Sequence, residues 1–236
     1  LSITIAAIAR LFAGVACVLS FTASAPLHAQ GFRFSNPDPV DEQERADRED
    51  ADARIAQQLS TPCRADLKGR KIMVVIGERQ SNGVIAAQQH NYGAHFQAID
   101  RRLKALGLRT YTPEEIRRQI AQAEIDAYMR NDVDAAISAS KRLGASFILR
   151  GLISSNASPN LMIAVNQVTV DMDFTLTGSN GRPISEAQAH SASYSGNDVS
   201  RMALTLVNEK ADEVVAQLYS DYCRSAGKAA GGKAAR

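Results

Sequence analysis

Tryptophan is absent from this 236-residue chain, and aromatic residues make up only 6% of it. So thin a supply leaves no platform for stacking the bases of a single-stranded nucleic acid. A dominant charge is also missing. The 27 basic and 25 acidic residues leave a net of +2, which excludes a dedicated nucleic-acid binder. Cysteine is scarce, at three residues with no Cys-x-x-Cys spacing, so a redox pair of that type is excluded. The sequence also lacks a Gly-x-Ser-x-Gly elbow, and the loop 77-GERQSNG-83 is neither a dinucleotide fingerprint nor a Lys-Ser/Thr phosphate loop. What the chain does have is apolar material: 45% of its residues, enough for one domain of ordinary size with flanking segments.

The first 29 residues have the form of a secretory signal. Arg10 is the only charge before 11-LFAGVACVLSFTASA-25, and small residues then lead to a cleavage site ending at Ala29. Pro26 breaks the apolar stretch before it reaches the length of a comfortable membrane span. Lipid attachment at Cys17 is the alternative, but Gly14 stands three residues before it, where Leu is wanted. The expectation is a periplasmic protein released from a cleaved signal peptide. The remaining cysteines, Cys63 and Cys223, are expected to pair in an oxidising compartment and tie the two ends of the domain together.

Four segments are expected: signal peptide 1–29, acidic disordered linker 30–60, α/β domain 61–224 and disordered basic tail 225–236. Between Asp38 and Arg54 there are eight acids against three arginines, a solvated run with a frayed helix at most toward Leu59. Within the domain, 71-KIMVVI-76 suits a buried central strand. Phe96, Ile99, Leu103 and Leu106 recur at helical spacing up to Gly107, and a short strand follows at 108–111. Thr112-Pro113-Glu114-Glu115 is a capping box opening a helix that carries Ile116 and Ile120 and breaks near Asn131. The next helix runs from Asp132 to Gly144, and 146-SFILRGLIS-154 is a second apolar strand. A long hairpin covers 161–194, turning at 178-GSNGR-182. A final amphipathic helix carries Val199, Met202, Leu206, Val207, Val214, Val215 and Leu218 on one stripe. The order β-α-β-α-α-β-β-β-α defines an α/β (α+β) fold with a single mixed sheet.

Asp171-Met172-Asp173-Phe174-Thr175 has the spacing of the Asp-x-Asp-x-Thr signature of haloacid-dehalogenase-like phosphatases. Yet Val168, Val170, Met172, Phe174 and Leu176 alternate with Thr169, Asp171, Asp173, Thr175 and Thr177 through the whole stretch. That period-two pattern belongs to a half-buried antiparallel strand. A catalytic pair belongs at a strand end, Phe174 replaces the usual turning glycine, and no acid cluster for Mg²⁺ follows. No enzyme activity is expected, nor any cofactor or metal site. His90 and His95, five apart, do not share a helix face as i, i+4 ligands do. The paired bases Arg101/Arg102, Arg117/Arg118 and Lys141/Arg142 lie on polar helix faces. Solvation is their ordinary role, and contact with peptidoglycan or lipid headgroups the sharper one.

The strand 71–76, the element 139-ASKRLGASFILRGLIS-154 and the hairpin 168-VTVDMDFTLTGSNGRPI-184 before a C-terminal helix resemble the curli-secretion (CsgG-like) group of envelope domains. The penicillin-binding-protein activator LpoB and the flagellar assembly protein FlgT belong to that group, related in fold to the N-terminal domain of TolB. Gly144-Ala145, Gly151 and Thr177-Gly178 stand at the group's glycine positions. The resemblance spans roughly 70–222. It implies a non-enzymatic accessory that binds a protein partner in flagellar, secretion or cell-wall assembly. The row Thr169, Asp171, Asp173 and Thr175 is the candidate partner surface, and the edge of the return strand is a place for strand addition. A small-ligand or glycan binder using the loop 77–93 is the alternative from a different class.

Overall fold

The computed structural model describes residues 39–79, 85–86, 93–160, 162 and 165–234. The expected signal peptide, Cys17, His90 and most of the loop 77–93 lie outside the described residues.

Helix α1 (Pro39–Leu59) and a single turn, α2 (Arg64–Leu67), precede strand β1 (Lys71–Arg79). Then follow β2 (Ile85–Ala86), α3 (Gly93–Ala105), β3 (Arg109–Thr110), α4 (Pro113–Gln119), α5 (Gln122–Met129) and α6 (Val133–Leu143). The long strands β4 (Phe147–Asn160), β5 (Val165–Gly178) and β6 (Pro183–Ser195) lead into α7 (Val199–Ala234). All six strands form one mixed sheet in the order β2-β1-β4-β5-β6, with β3 beside the start of β1. β1 runs parallel to β3 and β4, whereas β4, β5 and β6 form an antiparallel meander. The mixed α+β class read from the sequence is the class observed.

β1 is a central strand, buried from Ile72 to Gly77. Its alternate side chains supply two cores. Ile72, Val74 and Ile76 join Leu149, Val170, Met172, Phe174 and the buried faces of α3 and α7. Met73 and Val75 join Ile148 and Leu152 under α4, α5 and α6. The apolar hexamer thus reads as continuous because both faces of the strand are covered.

Helix ends follow the local chemistry. The Thr112 hydroxyl accepts from the Glu115 N–H at 3.2 Å, and Glu115 Oε2 accepts from the Thr112 N–H at 2.8 Å. The Asp132 carboxylate caps α6 by accepting from the N–H groups of Asp134 and Ala135. Gly144 ends that helix in the left-handed conformation, φ 62°. The helix expected to run from Pro113 to near Asn131 is instead two, broken at Ile120 and Ala121, both extended. The break changes the phase of the chain. A continuous helix that buries Ile116 and Ile120 would turn Ile125 well off that face, yet Ile120, Ile125, Tyr128 and Met129 are all buried in the same core.

Two segments expected to be disordered are helical. The acidic run forms α1 as far as Leu59, its side chains largely exposed and Ile55 and Leu59 half-buried. Its i, i+4 pairs Gln43–Asp47 and Arg48–Glu44 and its packing against α7 account for a helix that composition alone disfavours. The chain from 225 onward continues α7 as far as Ala234.

Cys63 and Cys223 are joined by a disulfide with Cα atoms 5.6 Å apart. Beside it the Tyr219 hydroxyl donates to the Thr61 carbonyl and accepts from the Cys63 N–H at 3.4 Å. The start of the domain is thereby fastened to α7 by a covalent bond and two hydrogen bonds.

Candidate functional site

The alternation along β5 settles where its polar row points. Val168, Val170, Met172, Phe174 and Leu176 are buried in the core beneath α3 and α7. Thr169, Asp171, Asp173 and Thr175 therefore take the other face, the one on which α4, α5 and α6 cover β1 and β4. Three cross-strand rows result: Arg150–Thr175–Glu186, Leu152–Asp173–Gln188 and Ser154–Asp171–His190. Asp171, Glu186, Gln188 and His190 are exposed, while Thr169, Asp173 and Thr175 are half-buried between their neighbours.

Asp171 and Asp173 lie in mid-strand, hydrogen-bonded into the ladder on both sides by β4 and β6. A phosphoryl-accepting aspartate needs a strand end, where a second carboxylate turns over the phosphate. This geometry denies that arrangement. Asp171 is committed elsewhere, its Oδ1 lying 2.7 Å from His190 Nδ1. Arg79, at the end of β1, joins Ser154, Asp171, Asp173, Gln188 and His190 around one open depression. Among the described residues, no three His, Cys, Asp or Glu side chains are arranged to hold a metal ion.

A second feature sits one row further along, where the helical layer stops. Tyr128, Asn131, Asp132, Val133, Arg150, Thr175, Thr177, Pro183 and Glu186 border a cleft with a cavity volume of about 200 Å³. Arg150 Nη1 donates to the Met129 carbonyl at 3.4 Å and to Asn131 Oδ1, and Nη2 donates to Thr175 Oγ1 at 3.4 Å. All its acceptors are neutral, and the guanidinium forms no ion pair among the described residues. Asn131 takes φ 69°, a left-handed conformation that asparagine tolerates better than most residues. That conformation ends α5 beneath Arg150. The Tyr128 hydroxyl is buried beside the Thr177 hydroxyl and the Arg150 guanidinium. Burial pushes its pKa up to about 12, against the opposing influence of the neighbouring Thr177 hydroxyl and the Arg150 charge. It therefore stays protonated. Sequence reasoning passed over this cleft because Tyr128, Arg150 and Glu186 belong to three separate elements. The one local signal is Arg150, a charge inside the apolar run 147-FILRGLI-153.

The basic pairs are partly committed inside the molecule. Arg102 clamps the Asp212 carboxylate at 2.7 and 2.6 Å and the Asn208 carbonyl at 2.8 Å, which pins α3 to α7. Arg101 reaches Asn208, Arg117 pairs with Glu114, and Arg142 pairs with Glu124. The sheet ends at β6, which pairs only with β5 among the described residues. The Gln217 amide caps the Glu186 carbonyl and the Asp221 carboxylate accepts from Ser185, so α7 occupies part of that edge. No helix of the described residues is long and apolar enough to cross a membrane.

No protein-family model matches the chain, and no curated protein matches it by sequence. Solved structures overlap it in part. One is lipoprotein GNA1162 from Neisseria meningitidis, 16% identical, covering 61% of this chain and 97% of its own, with a TM-score of 0.44. The PelC dodecamer from Paraburkholderia phytofirmans is 15% identical, covering 67% and 91%, with a TM-score of 0.41. The LpoB C-terminal domain from Salmonella enterica is 14% identical, covering 58% and 91%, with a TM-score of 0.37. At TM-scores below 0.5, none of these likenesses carries a conclusion about what this chain does.

Proposed function

We propose that this chain is a periplasmic, non-enzymatic accessory of the cell envelope that binds a protein partner through the open face of β4, β5 and β6. One observation carries the reading. The helical layer stops short of β5 and β6, so Asp171, Asp173, Gln188 and His190 stand in register on a rigid sheet, outside either core. A fixed, patterned polar face of this kind favours specificity and orientation over catalysis. The residues that a phosphatase needs at a strand end are held in mid-strand, which supports the non-enzymatic part of the reading.

Membership of the CsgG-like group, a cleaved signal peptide and a place in flagellar, secretion or cell-wall machinery all belong to this proposal. The glycan-binding alternative at 77–93 rests mostly on residues outside the described set. The test is affinity purification of the tagged protein from gently cross-linked envelope, with partners identified by mass spectrometry. One assembly recovered by the wild type should be lost by Asp171→Lys/Asp173→Lys, with the circular dichroism spectrum unchanged. Undiminished recovery by that variant would sink the proposed surface. Fractionation with the protein left in the cytoplasm would sink the periplasmic placement.

A further inference from the structure

The cleft at the border of the helical layer has a charge arrangement that the partner surface does not use. Arg150, Thr175 and Glu186 occupy one cross-strand row, on β4, β5 and β6 in turn. First and third strands lie about 9–10 Å apart, so Thr175 separates the cation from the anion at the level of the sheet. Among the described residues the two charges do not meet: Arg150 makes only neutral contacts, and Glu186 is exposed on the far rim. The other carboxylate at the cleft, Asp132, is occupied in capping α6. A guanidinium on one wall, a free carboxylate on the other and a hydroxyl between them match a ligand that carries both charges.

We infer that this cleft binds an α-amino-acid group, its carboxylate on Arg150 and its α-nitrogen donating to Glu186. With both Nη1 hydrogens and one Nη2 hydrogen given to Met129, Asn131 and Thr175, the Nε–H and the second Nη2–H of Arg150 remain to donate two parallel hydrogen bonds to a carboxylate. Thr175 offers a hydroxyl to either end. The cavity volume of about 200 Å³ suits one amino-acid residue rather than a saccharide chain. Val133 and Pro183 leave an apolar margin for a side chain. The same chemistry is presented by a free amino acid and by the carboxyl-terminal residue of a peptide, whose amide N–H replaces the ammonium. This inference shares only Thr175 with the proposed partner surface and stands whether or not that surface has a partner.

The test is isothermal titration calorimetry of the folded chain with glycine, alanine, glutamate and lysine, each also as its N-acetyl and its C-amide form. The C-amide forms, which lack the carboxylate, should bind about tenfold or more weakly than their parents. Tighter binding of the free forms identifies free amino acids as the ligand, and tighter binding of the N-acetyl forms identifies a peptide end. Glu186→Gln, an exposed change, should weaken the free forms and spare the N-acetyl forms. Arg150→Gln should abolish both, and where that variant does not fold, the amide series and Glu186→Gln decide. Absence of heat for every compound at millimolar concentration, or C-amide forms as good as their parents, overturns the inference.

Discussion

Gly151 faces Phe174 directly across the β4–β5 ladder, and a Cβ added there would lie 2.4 Å from the phenyl Cε1. The ring therefore occupies the space that any other residue at 151 would fill. Gly151→Ala should cost about 1–3 kcal/mol in urea unfolding, through overpacking rather than backbone strain. Combining it with Phe174→Leu should recover part of that loss, which a double-mutant cycle reads directly. His95 acts at the same scale through pH. Partial burial lowers its pKa below 6.5, with the Glu78 charge opposing the shift. The folded state thus binds this proton less readily than the unfolded chain. The His95 contribution is present in full above pH 6.5 and declines as pH falls below it. His95→Gln should flatten the stability profile on the acid side of neutrality, as measured by denaturant midpoints at a series of pH values. An unchanged profile would show that His95 does not sense pH. The Glu115 carboxyl moves the same way for another reason. The Thr112 N–H donates to it and lowers its pKa, so the capping box weakens only at acid pH.

Among the helices, α7 carries the most connections. It packs on β6, β5, α3 and α1, receives the Arg102 clamp, and holds Cys223. The disulfide closes a sequence separation of 160 residues. A chain-entropy account gives roughly 5 kcal/mol for so long a loop, as an upper value. Cys63→Ala/Cys223→Ala should lower the unfolding free energy by a large part of that amount and steepen the slope of the denaturant transition, because the unfolded chain without its cross-link exposes more surface. A midpoint equal to wild type would show that Tyr219 and the packing of Leu67 and Tyr222 suffice without the bond. The hairpin behaves differently. Beyond Ser154 the side chains of β4 are exposed to Pro159, and Met162 past its end is 93% exposed. Opposite this stretch on β5, Val168 and Val170 stay buried in the core, so it is β4 that is uncovered there.

For the whole molecule, the central division is between a two-core body and a helix laid on its outside. From Asp41 to Arg54 nearly every side chain of α1 is exposed, and its main contact with the body is with α7. Deleting residues 39–54 should therefore leave cooperative unfolding and the melting temperature close to those of the full chain. Loss of cooperativity would instead make α1 part of the folded unit. The two proposed sites test separately at this scale as well, because Asp171/Asp173 and Arg150/Glu186 lie on different rows of the sheet.

The sequence by itself determined what depends on neighbours along the chain. The capping box at Thr112, the αL stop at Gly144, the buried alternation of β5 and the stripe of α7 all follow from spacings of two, three or four residues. The aspartates, too, were legible as a strand face from alternation alone. Tertiary structure decided what depends on residues far apart. It placed the break at Ile120, where a continuous helix would turn Ile125 away from the core. It also placed α1, whose composition disfavours order until α7 gives it a surface. And it assembled Tyr128, Arg150 and Glu186 into one cleft, because strand register, which no local pattern encodes, sets which side chains share a row.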